Sequence, residues 1–407
     1  MAGTVEEMGF LRGSTSSQVF LLASATFFFN ASFNMINAVI ALYATEEIHA
    51  GVGEVGLVVG AFFASSSLFK IPTGMAISPG NTVRWMLLGF VLITVSPIAY
   101  VLAPSVPALV ALRLVNGFGF TVTVTTLLTA VSLVTPAGGQ ARSIAMYTVG
   151  AATGLAVGPG LTTLALSLGG LRSAVILAGL VNLPCFGVWL RLRSHWMETG
   201  SSGPPPPSRR FLLSTLRETR VLSIALIYLA FNAVAAMIMT LAPLQARTTF
   251  EMSDQHWSLL FFGYSLLLLF VRMVLTRVVS ERILIPLTLL GLVNASLASL
   301  GMAFSADPLV FSAFLVSGGI SHGVGFPLSA IMAVSRVRTE RLVFTNSAYL
   351  LGGDVGSFLG PVMASAIASE YGIPWGITAI GLFPVPGVFL AIAQGRKQGT
   401  RLQSAKP

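Results

Sequence analysis

Long apolar runs alternate with short polar breaks along this chain. From Phe20 to Ile392 the runs recur at roughly 20 residues or more, the length an α-helix needs to cross a bilayer. Twelve spans are predicted: 19–43, 54–77, 84–103, 106–134, 143–168, 171–192, 220–243, 256–278, 283–303, 308–333, 343–368 and 373–394. Turn-forming stretches such as ATEEIHAG, SPGN, TPAGGQ and SADP separate them. The expected fold class is an all-α membrane protein. The longest connection, 193–219, contains SSGPPPPSRR, and its prolines favour an extended, non-helical linker. It separates a first six-helix bundle, 1–192, from a second, 220–394, with a tail at 395–407.

One stretch inside the fifth span repeats in the eleventh. GAATGLAVGPG begins at Gly150 and GGDVGSFLGPV at Gly352, an offset of 202 residues. Gly150, Gly154, Gly158 and Pro159 thus map onto Gly352, Gly356, Gly360 and Pro361. Without gaps, the same offset maps Tyr147 onto Tyr349, the tripeptide FNA at 29–31 onto 231–233, and Lys70 onto Arg272. Matches in four spans at one register point to a duplication in which both halves share one topology, the parallel type of repeat. In lipid, small residues at every fourth position let two helix backbones approach. Proline frees a carbonyl and permits a supported bend. Such a strip beside a bend suits helices that pack closely or that slide and rock.

Charge then orients the chain. Only 9% of residues are charged, against about 25% in soluble domains. The net charge of +9 does not indicate a nucleic-acid partner, because the basic residues sit in short clusters between spans. An even number of spans puts both termini on one side. Apart from Arg113, every Lys and Arg then falls on that side except Arg172 and Arg247, while Glu46, Glu47, Glu54, Glu251, Asp254, Asp307 and Glu370 lie opposite. The positive-inside rule places both termini in the cytoplasm, with the chain in the cytoplasmic membrane. Met1–Gln18 is polar and carries Glu6 and Glu7, so no cleaved signal peptide is expected. The single cysteine, Cys185, excludes an internal disulfide.

With its twelve spans, six-plus-six repeat and basic central loop, the chain resembles the major facilitator superfamily. GLAVGPG in the fifth span resembles that family's antiporter signature, common in proton-coupled drug exporters. RLVNGFG, Arg113 to Gly119, resembles its R-x3-G-x-G motif. The loop after the second span departs from the family's G-x3-D-R-x-G-x-R-R: in GMAISPGNTVR, Gly74 and Arg84 match, but Ser78 replaces the acid, Pro79 the base and Asn81 the glycine. The resemblance implies a cavity lined by the first, fourth, seventh and tenth helices, with the second and eleventh packed together.

Ionisable groups inside a membrane are functional candidates by default. Asp354 is the carboxylate deep in a span and the first candidate for proton coupling, since burial and neighbouring charge tune a carboxyl. Its structural alternative is an ion pair with Lys70 that locks the halves together. Arg113, implicated by the resemblance in proton transfer or anion binding, is otherwise a structural arginine bonded to backbone. His322 can titrate near neutral pH or act as a neutral hydrogen-bonded histidine. Asn30, Asn34 and Asn37 lie on one side of the first span, and Asn232 repeats Asn30. Amides there bind a polar substrate or staple helices. Phe27, Phe28, Phe29 and Phe33 flank them, facing either the cavity or lipid.

No clustered His/Cys/Asp metal set and no phosphate loop is evident, so neither cofactor, metal nor enzymatic activity is expected. The expected function is secondary active transport by alternating access: proton-coupled export of a drug-like or metabolite substrate by a monomer in the bilayer. The alternatives are a facilitator or proton symporter for a polar nutrient, such as a sugar or organic acid, and a transporter-like ligand sensor without net flux.

Overall fold

The computed structural model describes residues 3–78, 80–135, 140–196, 219–280, 283–334 and 342–393. The linker and tail expected at 193–219 and 395–407 lie outside these residues, apart from the ends of the flanking helices. The helices are α1 (Gly3–Glu46), α2 (Val52–Ala76), α3 (Thr82–Ala99), α4 (Val106–Val134), α5 (Gln140–Leu180), α6 (Leu183–Trp196), α7 (Thr219–Phe250), α8 (Asp254–Val278), α9 (Leu284–Ala303), α10 (Pro308–Val334), α11 (Leu342–Tyr371) and α12 (Ile373–Gly381), the last continued by a helical turn region at 384–393. Eleven helical stretches among the described residues are long and apolar enough to cross a membrane.

One of them, Arg142–Arg193, is 52 residues long, more than twice what a bilayer requires. It reverses at Gly169 and Gly170, where Gly170 has φ 69° and ψ −159°, a conformation open essentially only to glycine. Before the break, Gly150, Gly154 and Gly158 follow Ala23, Phe27 and Ala31 of α1 in the same order. After it the order inverts: Arg172 pairs with Glu47, Asn182 donates to the Ser32 hydroxyl at 2.8 Å, and the Cys185 thiol donates to the Ala25 carbonyl at 3.6 Å. The stretch therefore runs out and back along α1.

The glycine strips set the closest helix contacts. A methyl group placed at Gly150, Gly154 or Gly158 would lie under 3.0 Å from the carbonyl oxygen of Ala23, Phe27 or Ala31. At Gly352, Gly356 and Gly360 of α11 it would meet Ala225, Leu229 and Ala233 of α7. Each partner carbonyl of the second trio also lies 202 residues after its counterpart in the first. The backbone follows the same offset where side chains differ. His49 and Glu251 both have positive φ, at 58° and 51°, and so do Gly170 and Gly372, at 69° and 93°.

The strips pack α5 against α1 and α11 against α7, each pair within 1–192 or within 220–394, backbone to backbone. The surface between the two groups of helices is elsewhere. There α2 runs antiparallel to α11: Gly53 faces Ser369, Gly56 the Pro361 carbonyl and Ser365, and Gly60 the side chains of Val362 and Phe358. The first arm of α5 meets α8 in the corresponding way, with the Ser258 hydroxyl donating to the Pro159 carbonyl at 2.9 Å and Gly160 against Phe262.

The apolar core is fused at one end and divided at the other. At the end carrying Glu46 and Arg247, one cluster joins Ile40 and Tyr43 of α1 to Leu241 of α7, Trp257 of α8 and Phe311 of α10. Toward the opposite end it gives way to two separate clusters. One contains Leu22, Phe90 and Val188, the other Ile224, Leu284 and Leu328. Polar contacts close the fused end. The Trp257 indole donates to the Ala38 carbonyl at 2.7 Å, and Arg247 pairs with Glu46 at 3.0 Å.

Candidate functional site

The divided end holds the chemistry. A cavity of about 510 Å³ lies alongside the packed α1 and first arm of α5, lined by Phe20, Phe27, Phe28, Arg142, Val149 and Thr153. The four phenylalanines of α1 thereby separate. Phe27 and Phe28 face the cavity, Phe29 is buried at 2% exposure, and Phe33 stacks against Phe62 and Phe120.

Lys70 and Asp354 meet across the α2–α11 surface in an ion pair, their side chains 31% and 20% exposed. The antiparallel register that places Gly56 against Pro361 carries α2 on to Asp354. The pair joins the two groups of helices at the divided end, as Arg247 and Glu46 do at the fused end.

Arg113 does not join them. It lies 12 residues before the corresponding level of α2, packed beside Val58, which is about 18 Å from Lys70 along that helix. The α2–α4 approach around it is set by Gly117, which lies against the Phe62 backbone, and by Thr121, which donates to the Ser66 hydroxyl and carbonyl. Arg113 is fully buried, its Nε donates to the Val58 carbonyl at 3.2 Å, and its guanidinium sits 4.7 Å from the Phe62 ring centre. Neither Nη1 nor Nη2 has a partner. Backbone and an aromatic face therefore satisfy only part of this charge.

His322 packs against α8, where Gly319 and Gly323 let the helices close onto the Tyr264 and Leu268 carbonyls. Its Nδ1 is 2.8 Å from the Tyr264 hydroxyl. Tyr264 carries no motif and its partner is 58 residues away, so only the folded chain reveals the pairing. Arg272, two turns beyond Tyr264, stacks 5.7 Å over Phe326.

The asparagines take different parts. Asn30 and Asn232 each donate to the carbonyl four residues back, Thr26 at 2.8 Å and Tyr228 at 2.9 Å. Asn34 reaches the Leu155 carbonyl and lies 3.4 Å from the Ser265 hydroxyl, bridging α1, α5 and α8. The amide nitrogen of Asn37 is buried without a partner.

A helical bundle fused at one end and divided at the other, with eleven stretches among the described residues long and apolar enough to cross a membrane, has the architecture of a polytopic membrane protein. The model of the Major Facilitator Superfamily matches residues 22–361, and the chain belongs to that superfamily of multi-pass membrane transporters. It is 33% identical over 166 residues to "Multidrug resistance protein Stp" of Mycobacterium tuberculosis, a match covering 40% of this chain and 30% of that relative. Its fold is similar to that of a bacterial homolog to the human lysosomal transporter Spinster. In the inward-facing, unoccupied conformation of that protein the TM-score is 0.76 at 15% identity, covering 94% of this chain and 97% of the other. The nucleoside transporter NupG, in a mutant form, is similar with a TM-score of 0.72 at 12% identity, covering 92% and 98%.

Proposed function

We propose that this chain is a secondary active transporter that exports a small, partly hydrophobic molecule in exchange for protons by alternating access. The observation that carries the reading is a core fused at one end and divided at the other. Two bundles, 1–192 and 220–394, rock about the α2–α11 and α5–α8 surfaces and open the cavity to each side in turn. Counting Arg142–Arg193 as two crossings gives twelve, and the 202-residue correspondence of contacts and backbone favours a duplicated architecture. With both termini in the cytoplasm, the divided end faces inward. The linker 193–219 and the tail 395–407 are then cytoplasmic, and the unit is a monomer.

Asp354 is the proton carrier in this reading, with Lys70 as the counter-ion it exchanges for a proton. The GLAVGPG signature and the partial likeness to a multidrug resistance protein favour export. The test is flux in proteoliposomes under an imposed pH gradient, using purified wild type and Asp354→Asn. Wild type should accumulate substrate against its gradient, and the variant should retain only downhill exchange. Gradient-driven accumulation by Asp354→Asn would remove Asp354 from coupling. Binding without flux in wild type would favour a ligand sensor.

A further inference from the structure

Lys70 and Arg272 occupy corresponding positions at the 202-residue offset, but their surroundings differ. Lys70 has Asp354 as its partner. The residue 202 before Asp354 is Ala152, so the duplicated position opposite Arg272 carries a methyl group where Lys70 meets a carboxylate. Arg272 turns instead toward α7 and α10. Its guanidinium lies over Phe326, with Tyr228, Tyr264 and His322 within electrostatic reach. Its Nε is buried with no acceptor, and no acidic side chain among the described residues pairs with it. It sits where the fused core divides, with Leu268 in the joint cluster and Leu275 in the separate one. The residue is only partly buried there.

Even a partly buried cation without a counter-ion carries a desolvation cost. Aromatic contact offsets part of that cost, while the N–H edge stays unmatched. Guanidinium is a donor-only group whose planar fork fits a carboxylate in two parallel bonds. The Phe326 ring lies 5.7 Å from the guanidinium carbon, and the buried Nε has no acceptor. The Tyr264 hydroxyl engages His322 Nδ1, which leaves Nε2 for a further polar contact.

We infer that Arg272 is an anion-receiving residue of the transport cleft, and that the substrate is an amphipathic organic anion. Its carboxylate lies against the guanidinium edge and its flat apolar body against Phe326 and Tyr228. The inference rests on the transporter reading for the word substrate; the binding itself needs no transport. It names a residue outside the Lys70–Asp354 pair, and it accounts for a duplicated cation whose acid is missing.

The experiment is equilibrium binding to the purified full-length chain in detergent. The probes are naphthalene-2-carboxylate, the isosteric carboxamide and 2-naphthylmethylammonium, followed by calorimetry and thermal shift. The carboxylate should bind at least about tenfold tighter than the amide, as a charge-assisted bond of roughly 1.5–3 kcal/mol implies, and the ammonium should not compete. Arg272→Gln should bring the carboxylate down to the amide's affinity. Arg272→Lys, which keeps the charge without the fork, should fall between, and Lys70→Gln should leave the preference intact. Equal affinity for carboxylate and amide, no binding of either, or an unchanged preference in Arg272→Gln each overturns the inference. Should Arg272→Gln not fold, undiminished preference in Arg272→Lys overturns the bidentate geometry. Carboxylate binding with no flux in vesicles would leave Arg272 as an anion site and sink the transporter reading instead.

Discussion

Substituting alanine for individual glycines separates the contacts that hold each bundle from those that do not. At Gly154 and Gly356 the added methyl group falls under 3.0 Å from the carbonyl oxygens of Phe27 and Leu229. Ordinary contact needs about 3.5 Å, so the helices must part by roughly 1 Å. The obstacle is backbone and cannot rotate away. Overpacking of this kind costs about 1–3 kcal/mol. At Gly74 and Gly187, both helical, nothing lies within 4 Å of the added methyl. There alanine should gain up to about 1 kcal/mol in helix propensity. The two classes therefore differ in sign. The assay is the thermal unfolding midpoint of each purified variant in one detergent. Gly154→Ala and Gly356→Ala should each lower it and the double variant should show near-additive loss, because the sites share no partner. Gly74→Ala and Gly187→Ala should match or exceed wild type. Equal midpoints in the two classes would refute the claim that backbone approach at these strips holds α1 to α5 and α7 to α11.

Opening the fused end must break the Trp257–Ala38 hydrogen bond, worth about 0.5–1.5 kcal/mol net. Trp257→Phe should therefore raise the outward-open population roughly two- to tenfold, read as faster maleimide labelling of Leu42→Cys in a Cys185→Ala background, and unchanged labelling refutes the assignment. Lys70→Met leaves Asp354 without a counter-ion and should lower the unfolding midpoint. Lys70→Met with Asp354→Leu should recover the midpoint but not gradient-driven flux, and recovered flux would make the pair purely structural. Arg113→Met should be tolerated for folding, since a buried charge replaced by a similar apolar shape is often neutral. If transport survives as well, Arg113 has no part in the cycle.

Long apolar periods were readable because the bilayer imposes one length on every span, and the reversal at Gly169–Gly170 fell between two expected spans. The glycine strips were readable as a pattern but not as an address. G-x3-G-x3-G marks a close approach, and only the fold shows that the partner backbone belongs to the same bundle. The Lys70–Asp354 pair was nameable as one of two roles for Asp354 once the second and eleventh helices were expected to pack together, and the register of α2 against α11 brings the two side chains into contact. Tyr264, Trp257 and Ser258 left no sequence signal, because each acts on a partner 58 or more residues away through a single atom.

The 202-residue correspondence of contacts and backbone helps explain why the rest was hidden. Where backbone geometry alone is required, identity has drifted. His49 and Glu251 hold the same left-handed turn with unlike side chains. At both places, the N–H one residue after the left-handed residue returns to a helix carbonyl, Ala50 to Ala44 and Met252 to Ala246. Across the bundle surfaces the correspondence is looser still. Gly56 approaches the Pro361 carbonyl directly, while Ser258 spans to the Pro159 carbonyl with a hydrogen bond. The two pivots therefore share a position and differ in chemistry. Lys70 with Asp354 against Arg272 with Ala152 carries that difference to its limit: one cation is neutralised within the protein and the other is left for a ligand. A rocking machine needs its two pivots alike in shape, whereas coupling and recognition need them unlike in charge. The residues that break the repeat are thus the ones to test first for substrate and proton.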